Sequence, residues 1–313
     1  MQTFETYLQG KGLTSATIYR YKRFITVFKA WYGNDEVINC QKKDILNYLN
    51  YLNNRNLQAI SRNNTLIALR HYFDSLMHNG MIASNPTALI KLRGVKRRKL
   101  HHTYTPEELS ELADTYYHLE VKRTQEKLTT GTGGQYLHQR TYNAKMRNYT
   151  MLLFFTHQGI TTSEVLRLKV EDIELHKASV KITKGTRRGN ARTLPLHATQ
   201  IGALMQYLNE IRPQLETGST DNTLFLPIPK NDPKAKKEAQ TSFKLFVRQL
   251  KRLNRNFNSL EQLRASVITY WIKTCGLRKA QYLAGHKSIT STEEYLPNYI
   301  EDLAEDITKF NPF

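Results

Sequence analysis

Between Ser15 and Tyr32, apolar side chains fall at Ile18, Tyr21, Ile25, Phe28 and Tyr32, at alternating steps of three and four. That spacing predicts one buried helical face. Arg20, Lys22, Arg23 and Lys29 lie off the stripe. A second helix is expected in KKDILNYLNYLNN, with Ile45, Leu49 and Leu52 inward. A third runs through NNTLIALRHYFDSLMHNG on Leu66, Leu69, Phe73 and Leu76, and Gly80 suits its C-terminal left-handed position. Ser84-Asn85-Pro86 breaks the pattern before a short helix expected at residues 87–92. Thr105-Pro106-Glu107-Glu108 opens a new region: Thr105 caps, Pro106 takes the first helical position and Glu108 closes the capping box. TTGTGG within residues 125–142 reads as a surface loop, and helices resume at MRNYTMLLFFTHQG and SEVLRL. SVKIT (179–183) and RTLPL (192–196) flank the cation-rich KGTRRGNA and predict a hairpin. ATQIGALMQYLNEI, SFKLFVRQLKRLN and LEQLRASVITYWIKT again read as helices. The chain is therefore mainly α with a small antiparallel sheet, and its 313 residues suggest two domains.

Charge narrows the partner. Lys and Arg number 46 against 27 Asp and Glu, a formal net charge of +19, so a polyanion is expected and nucleic acid is the first choice. An anionic membrane is the weaker competitor, because neither a basic amphipathic anchor helix nor a lipid signal stands out. No run of 18 apolar residues predicts a membrane span, and MQTFETYLQG has no apolar signal region. Two cysteines make neither a zinc cluster nor a disulfide framework, which fits a reduced cytoplasm. The densest basic run, KLRGVKRRKL (91–100), holds six cations in ten residues. It reads as a solvated linker or as a strap along a phosphate backbone, and the global charge favours the strap.

The motifs exclude several chemistries. No GxxxxGK[ST], no GxGxxG after a strand and no HExxH is present. Glu171-Asp172 is an ordinary acidic pair rather than a carboxylate cluster, so strand cleavage here would rest on Arg, Lys, His and a side-chain nucleophile. Near the C-terminus His286 stands nine residues before Tyr295, and Ser291 to Glu294 read as a capping box that places Tyr295 in the first turns of a helix. With 18 tyrosines in the chain, a lone Tyr means little.

The combination carries more. LAGHKSITSTEEY resembles the LxGHxxxxxTxxxY motif of the tyrosine recombinase (phage integrase) family. NSLEQLRASVITYW resembles its HxLRHxxAT helix at Leu263 and Arg264. QGITTSEVLRLKVEDI resembles TGLRxSELLxLxxxDI, and TKGTRRGNARTLPL resembles GKGxKxRxVPL with about three extra turn residues. NTLIALRHYFDSLMHNGMIASNP looks like the end of the family's core-binding domain. The resemblance implies a SAM-like helical core-binding domain over 1–97, a basic linker ending at 98–104 and a DNA breaking-rejoining catalytic domain over 105–313.

It further implies a site-specific recombinase or integrase of a mobile element. Such an enzyme works through a 3′-phosphotyrosine, with no metal, ATP or other cofactor. Tyr295 would be the nucleophile, Arg264 the phosphate-binding fork, His286 a phosphate or proton partner and Lys184 the general acid on the leaving oxygen. Two positions depart from the pattern. Thr161 occupies the place of the first arginine, and Glu261 that of the histidine three residues before Arg264. Arg187 and Arg188 in the hairpin are the first candidates to supply the missing guanidinium, ahead of Arg167. The alternative is a catalytically degenerate DNA-binding accessory protein on the same fold; a relaxing topoisomerase or telomere resolvase with the same nucleophile is a third reading.

Double-stranded DNA is the expected partner, with a homotetramer on two sites, room for accessory proteins, no membrane, and a nucleoid-associated cytoplasmic location. Arg20, Lys22, Arg23, Arg93, Lys96, Arg97, Arg98, Lys99, Arg248, Lys251 and Arg252 are the candidate DNA contacts, with Arg255 beside them. Ile300, Leu303, Ile307 and Phe310 form a C-terminal apolar stripe. It packs in cis or, by resemblance, on a neighbouring protomer.

Overall fold

A Thr side chain starts each of the first two helices. Thr3 accepts from the Thr6 amide ahead of α1 (Phe4–Gly10), and Thr14 from the Thr17 amide ahead of α2 (Ser15–Tyr32). In this computed structural model the described residues are 2–33, 37–94, 102–129, 135–185, 189–216, 222–227 and 238–296. The chain divides into two units, Met1–Lys99 and Leu100–Phe313. The first continues with α3 (Lys42–Asn54), where Asp44 reaches back to the Gln41 amide, and α4 (Ala59–His78). The expected stripe of α2 is buried at Ile18, Tyr21, Ile25 and Phe28, while Tyr32 is only half-buried. Phe28 lies at the centre, edge-on to Tyr48 at 5.0 Å and to Phe73 at 6.1 Å between ring centroids. Each such buried ring contributes about 1.5–3 kcal/mol of transfer free energy.

The helix expected at 87–92 is absent. Residues 86–89 form turns instead, because Asn85 Oδ1 takes both the amide (2.8 Å) and the hydroxyl (2.7 Å) of Thr87. An Asx side chain that captures the backbone two residues on favours a turn over helix propagation.

The second unit begins as its sequence predicts. Thr105, Pro106 and Glu108 form a capping box at the start of α5 (Pro106–Tyr116). A π-helical stretch, Tyr117–Lys122, joins it to α6 (Arg123–Thr129). That stretch turns Glu120 inward, where it is 3% exposed and pairs with Lys145 at 2.7 Å and with Arg252. Next come α7 (Gln135–His157), longer than the periodicity indicates, and α8 (Thr162–Val165). The sheet is antiparallel in the order β1 (Ile173–Glu174), β2 (Ser179–Ile182), β3 (Arg192–Pro195). The β2–β3 hairpin pairs Val180 with Leu194 and Ile182 with Arg192.

Then follow α9 (Ala198–Gln206), α10 (Arg212–Leu215), α11 (Glu238–Leu253), α12 (Leu260–Ala284) and α13 (Thr290–Glu293). One apolar core joins α5, α7, the sheet, α9, α11 and the first half of α12 through residues such as Tyr116, Phe154, Val180, Leu204, Phe246 and Leu263. The chain is mainly α with a small antiparallel sheet, as expected. Among the described residues no helix is long and apolar enough to cross a membrane.

Candidate active site

The site begins at the N-terminal half of α12. Gln262 is 1% exposed and ties the helix start down: its Oε1 accepts from the Asn258 amide at 2.8 Å, and its Nε2 donates to the carbonyls of His102 and Asn256, each at 3.0 Å. Two residues on, Arg264 turns into the protein and is 9% exposed. Its guanidinium donates to the Gly159 carbonyl and, at 2.9 Å, to the Ala284 carbonyl. Both acceptors are held by glycine geometry. Gly159 has φ +52° and packs so closely on Val267 that a Cβ would come within 3.0 Å of it. Gly285 ends α12 in the left-handed region, at φ +70°.

His286 follows that turn. Its Nε2 lies 3.0 Å from Arg264 Nη2, and its Nδ1 lies 2.9 Å from Thr292 Oγ1. A guanidinium only donates, so Nε2 is the acceptor and Nδ1 carries the hydrogen given to Thr292. Burial, then the charges of Arg264 and Arg192, pull the imidazole down to about 4 against the opposing Glu164. His286 is therefore neutral at pH 7. The Tyr295 ring stacks on it at 5.9 Å and 12°, and the phenol stands close enough to the Arg264 guanidinium to favour its charged form. The phenol is half-buried against Ile268, Ile272, Ala280 and Ala284. Burial lowers the Arg264 pKa, while Tyr295 and Glu164 oppose that shift.

Three of the sequence-predicted residues, Arg264, His286 and Tyr295, thus meet. The predicted setting of Tyr295 is corrected: Ser291–Glu294 is no capping box, because α13 itself spans Thr290–Glu293 and Tyr295 follows it in a turn, its amide 3.0 Å from the Thr292 carbonyl. Lys184 lies two residues beyond β2, exposed, and makes neither a hydrogen bond nor an ion pair among the described residues. Arg187, Arg188, Lys96, Arg97, Arg98 and Lys99, most of TTGTGG, and Ile300, Leu303, Ile307 and Phe310 lie outside the described residues. Arg20, Arg23, Arg93, Arg248 and Lys251 are exposed; Lys22 pairs with Glu5 at 2.6 Å, and Arg252 is engaged by Glu120.

Thr161 has a structural task. Its hydroxyl caps α8, and Glu164 closes the capping box by accepting from the Thr161 amide at 2.8 Å. Glu261 is exposed on α12, one turn before Arg264.

Two site residues escaped the sequence reading. Glu164 is 9% exposed and pairs with Arg192 at 2.7 Å; its second carboxylate oxygen lies 3.9 Å from Arg264. Burial alone would raise its pKa, but the hydrogen bond and charge of Arg192, the Thr161 amide and Arg264 outweigh it and hold the carboxyl at about 2. A signal for Arg192 exists. In RTLPL positions 192, 194 and 196 are buried and 193 and 195 exposed, so the alternation puts a cation on the apolar face.

The arrangement suits anion chemistry: a buried guanidinium, a neutral imidazole and a phenol converge on one point. Comparison with known proteins agrees. Residues 135–301 match the phage integrase family, and residues 1–81 match the phage integrase N-terminal SAM-like domain. Tyrosine recombinase XerD of Staphylococcus epidermidis is 25% identical over 96% of this chain and 94% of its own length. Tyrosine recombinase XerA of Pyrococcus furiosus is 24% identical over 99% and 93%. The fold is that of XerH site-specific recombinase bound to palindromic difH substrate (TM-score 0.68, 19% identity, 97% of this chain and 82% of that one). It is also that of a lambda integrase tetramer bound to a Holliday junction (0.64, 18%, 93% and 74%). A SAM-like helical unit, a catalytic-domain match over more than half the chain and this cluster of Arg264, His286 and Tyr295 place the protein in the phage integrase family of tyrosine recombinases.

Proposed function

We propose that this protein is a site-specific DNA recombinase that breaks and rejoins strands through Tyr295. The observation that carries the reading is the convergence of the Tyr295 phenol and the neutral His286 ring on one buried guanidinium, Arg264. Arg264 binds the non-bridging oxygens of a phosphodiester and stabilises the charge that develops there. The phenol oxygen bonds to phosphorus while the bond from phosphorus to O5′ breaks. The products are a 3′-phosphotyrosine and a 5′-hydroxyl. As the phosphate draws the Arg264 N–H away from His286 Nε2, that nitrogen takes the phenol proton, and Lys184 gives a proton to O5′. An arriving phosphate anion raises the basicity of His286, because a nearby negative charge favours the imidazolium. The Tyr–phosphate ester keeps the energy of the broken link, so resealing is the same reaction run backwards.

The charge of +19 supplies the salt-sensitive affinity for double-stranded DNA. Exposed Arg20, Arg23, Arg93, Arg248 and Lys251 are its proposed phosphate contacts. The resolved relatives that hold DNA as dimers and tetramers support paired protomers on two sites.

The test is a nicked suicide duplex whose 5′ product diffuses away. Wild-type protein is expected to form a covalent protein–DNA adduct on a denaturing gel, and Tyr295→Phe none. Tight binding with no adduct would leave a DNA-binding module in place of an enzyme. An adduct that survives in Tyr295→Phe would reject this nucleophile.

A further inference from the structure

Thr161 leaves the site one guanidinium short of the pattern its sequence resembles, yet the structure holds a second one nearby. Arg192, the first residue of β3, has a fully buried side chain. Among the described residues only Nη1 is paired, with Glu164 Oε1 at 2.7 Å, and Nε and Nη2 are buried without a hydrogen-bond partner. Unpaired donors on a buried cation are costly, and a site keeps them only for a reason. The guanidinium lies against the turn that carries His286: a Cβ on Gly285 would stand 2.4 Å from Nη1 and 2.9 Å from Cζ. The same segment ties that turn by backbone, the Asn190 amide donating to the Gly285 carbonyl at 2.8 Å.

We propose that Arg192 is a positioning residue for strand cleavage: it clamps Glu164 and the Gly285–His286 turn, and it holds a buried positive charge beside His286. This rests on the recombinase reading above. The charge count around His286 follows directly. Among the described residues, the charges that act on His286 are Arg264 on α12 and Arg192 on β3, both positive, and Glu164 on α8, negative, which leaves one positive charge unbalanced. A phosphodiester brings the missing negative one. Arg192 does not reach the phosphate itself, since its side chain is covered; it acts through the orientation and protonation of His286 and through its charge on the site.

The experiment is single-turnover adduct formation on the suicide duplex at sub-saturating protein, followed from pH 4 to pH 8, where the rate reports groups of the free protein. Arg192→Gln is expected to slow cleavage about 10²-fold, as loss of one preorganised charge does, with DNA affinity changed less than about threefold. Removing a positive charge favours the imidazolium, so the acidic limb of the profile should move up by about one pH unit. Arg192→Lys keeps the charge and should leave the limb in place, whereas Glu164→Gln should move it down. If Arg192→Gln leaves Glu164 orphaned and does not fold, the same readouts are taken between Glu164→Gln and Glu164→Gln/Arg192→Gln, where no buried carboxylate is stranded. A wild-type rate without Arg192, or a slower rate with an unmoved limb, overturns the proposal. No adduct from the wild-type protein removes the recombinase reading itself.

Discussion

Replacing Glu164 by Gln should destabilise the second unit by an amount the structure allows to be worked out. The carboxyl titrates at about 2 in the folded protein against an ordinary value of 4.5. A gap of about 2.5 units at about 1.4 kcal/mol per unit is about 3 kcal/mol. An independent route agrees: removing one partner of a buried ion pair costs about 3–5 kcal/mol. The sign follows from the depressed folded value. The stabilisation is complete above the unfolded pKa near 4.5 and fades as pH falls towards 2. Protonated Glu and Gln are nearly isosteric, so wild type and Glu164→Gln converge at low pH. Of the two tryptophans, Trp31 belongs to the first unit and Trp271 to the second. Urea unfolding in a Trp31→Phe background, followed by Trp271 fluorescence, therefore reports the unit that holds Glu164. A gap of about 3 kcal/mol at pH 7, shrinking steadily below pH 4.5, is expected. A gap below about 1 kcal/mol at pH 7, or one unchanged down to pH 3, would refute the ion-pair reasoning.

Gly285→Ala should lose about 1–3 kcal/mol of stability and slow cleavage, because the Cβ meets Arg192 at 2.4 Å and φ is +70°; a normal melting temperature would contradict this. Lys184→Ala should slow adduct formation about 10²–10⁴-fold. A substrate whose O5′ is replaced by sulfur needs no proton to leave and should restore most of that loss, whereas a phosphate-binding role for Lys184 would leave the sulfur substrate equally slow. Affinity for a duplex site should fall linearly in log–log terms with salt. Charge reversal at exposed Arg248 or Lys251 should flatten that slope by about one unit or more if these residues meet phosphate.

Much of the fold was legible because long amphipathic helices write their period plainly. The stripes through Phe28, Leu49 and Phe73 are buried as read, and Thr105-Pro106-Glu108 begins its helix as read. Failures cluster where side chains compete with the backbone or where elements are short. Asn85 captures Thr87 and stops a helix; β1 has two residues and no alternation to detect. The helix read in LEQLRASVITYWIKT stops at Thr274, whereas α12 runs on to Ala284 across a break at Gly276. In the site, Arg264, His286 and Tyr295 came from motif spacing. Glu164 and Arg192 stand within the quoted motifs, and Arg192 breaks the apolar face of RTLPL, but the ion pair that joins them across 28 residues is invisible to local spacing.

The two departures from the family pattern have different physical weights. Glu261 is exposed, so water and salt screen its repulsion of a phosphate strongly. Thr161 is half-buried beside the buried Glu164, where a missing charge is screened less than at the exposed Glu261. There the cap that Thr161 makes leaves Glu164 free to turn its other oxygen to Arg192, and a guanidinium from the sheet enters the space behind the His286 turn. The cap at Thr161 fixes Glu164, Glu164 holds Arg192, and Arg192 adds to the positive charge that His286 experiences. The site thus keeps an excess of positive charge at the place a phosphate would occupy, although its first arginine is a threonine.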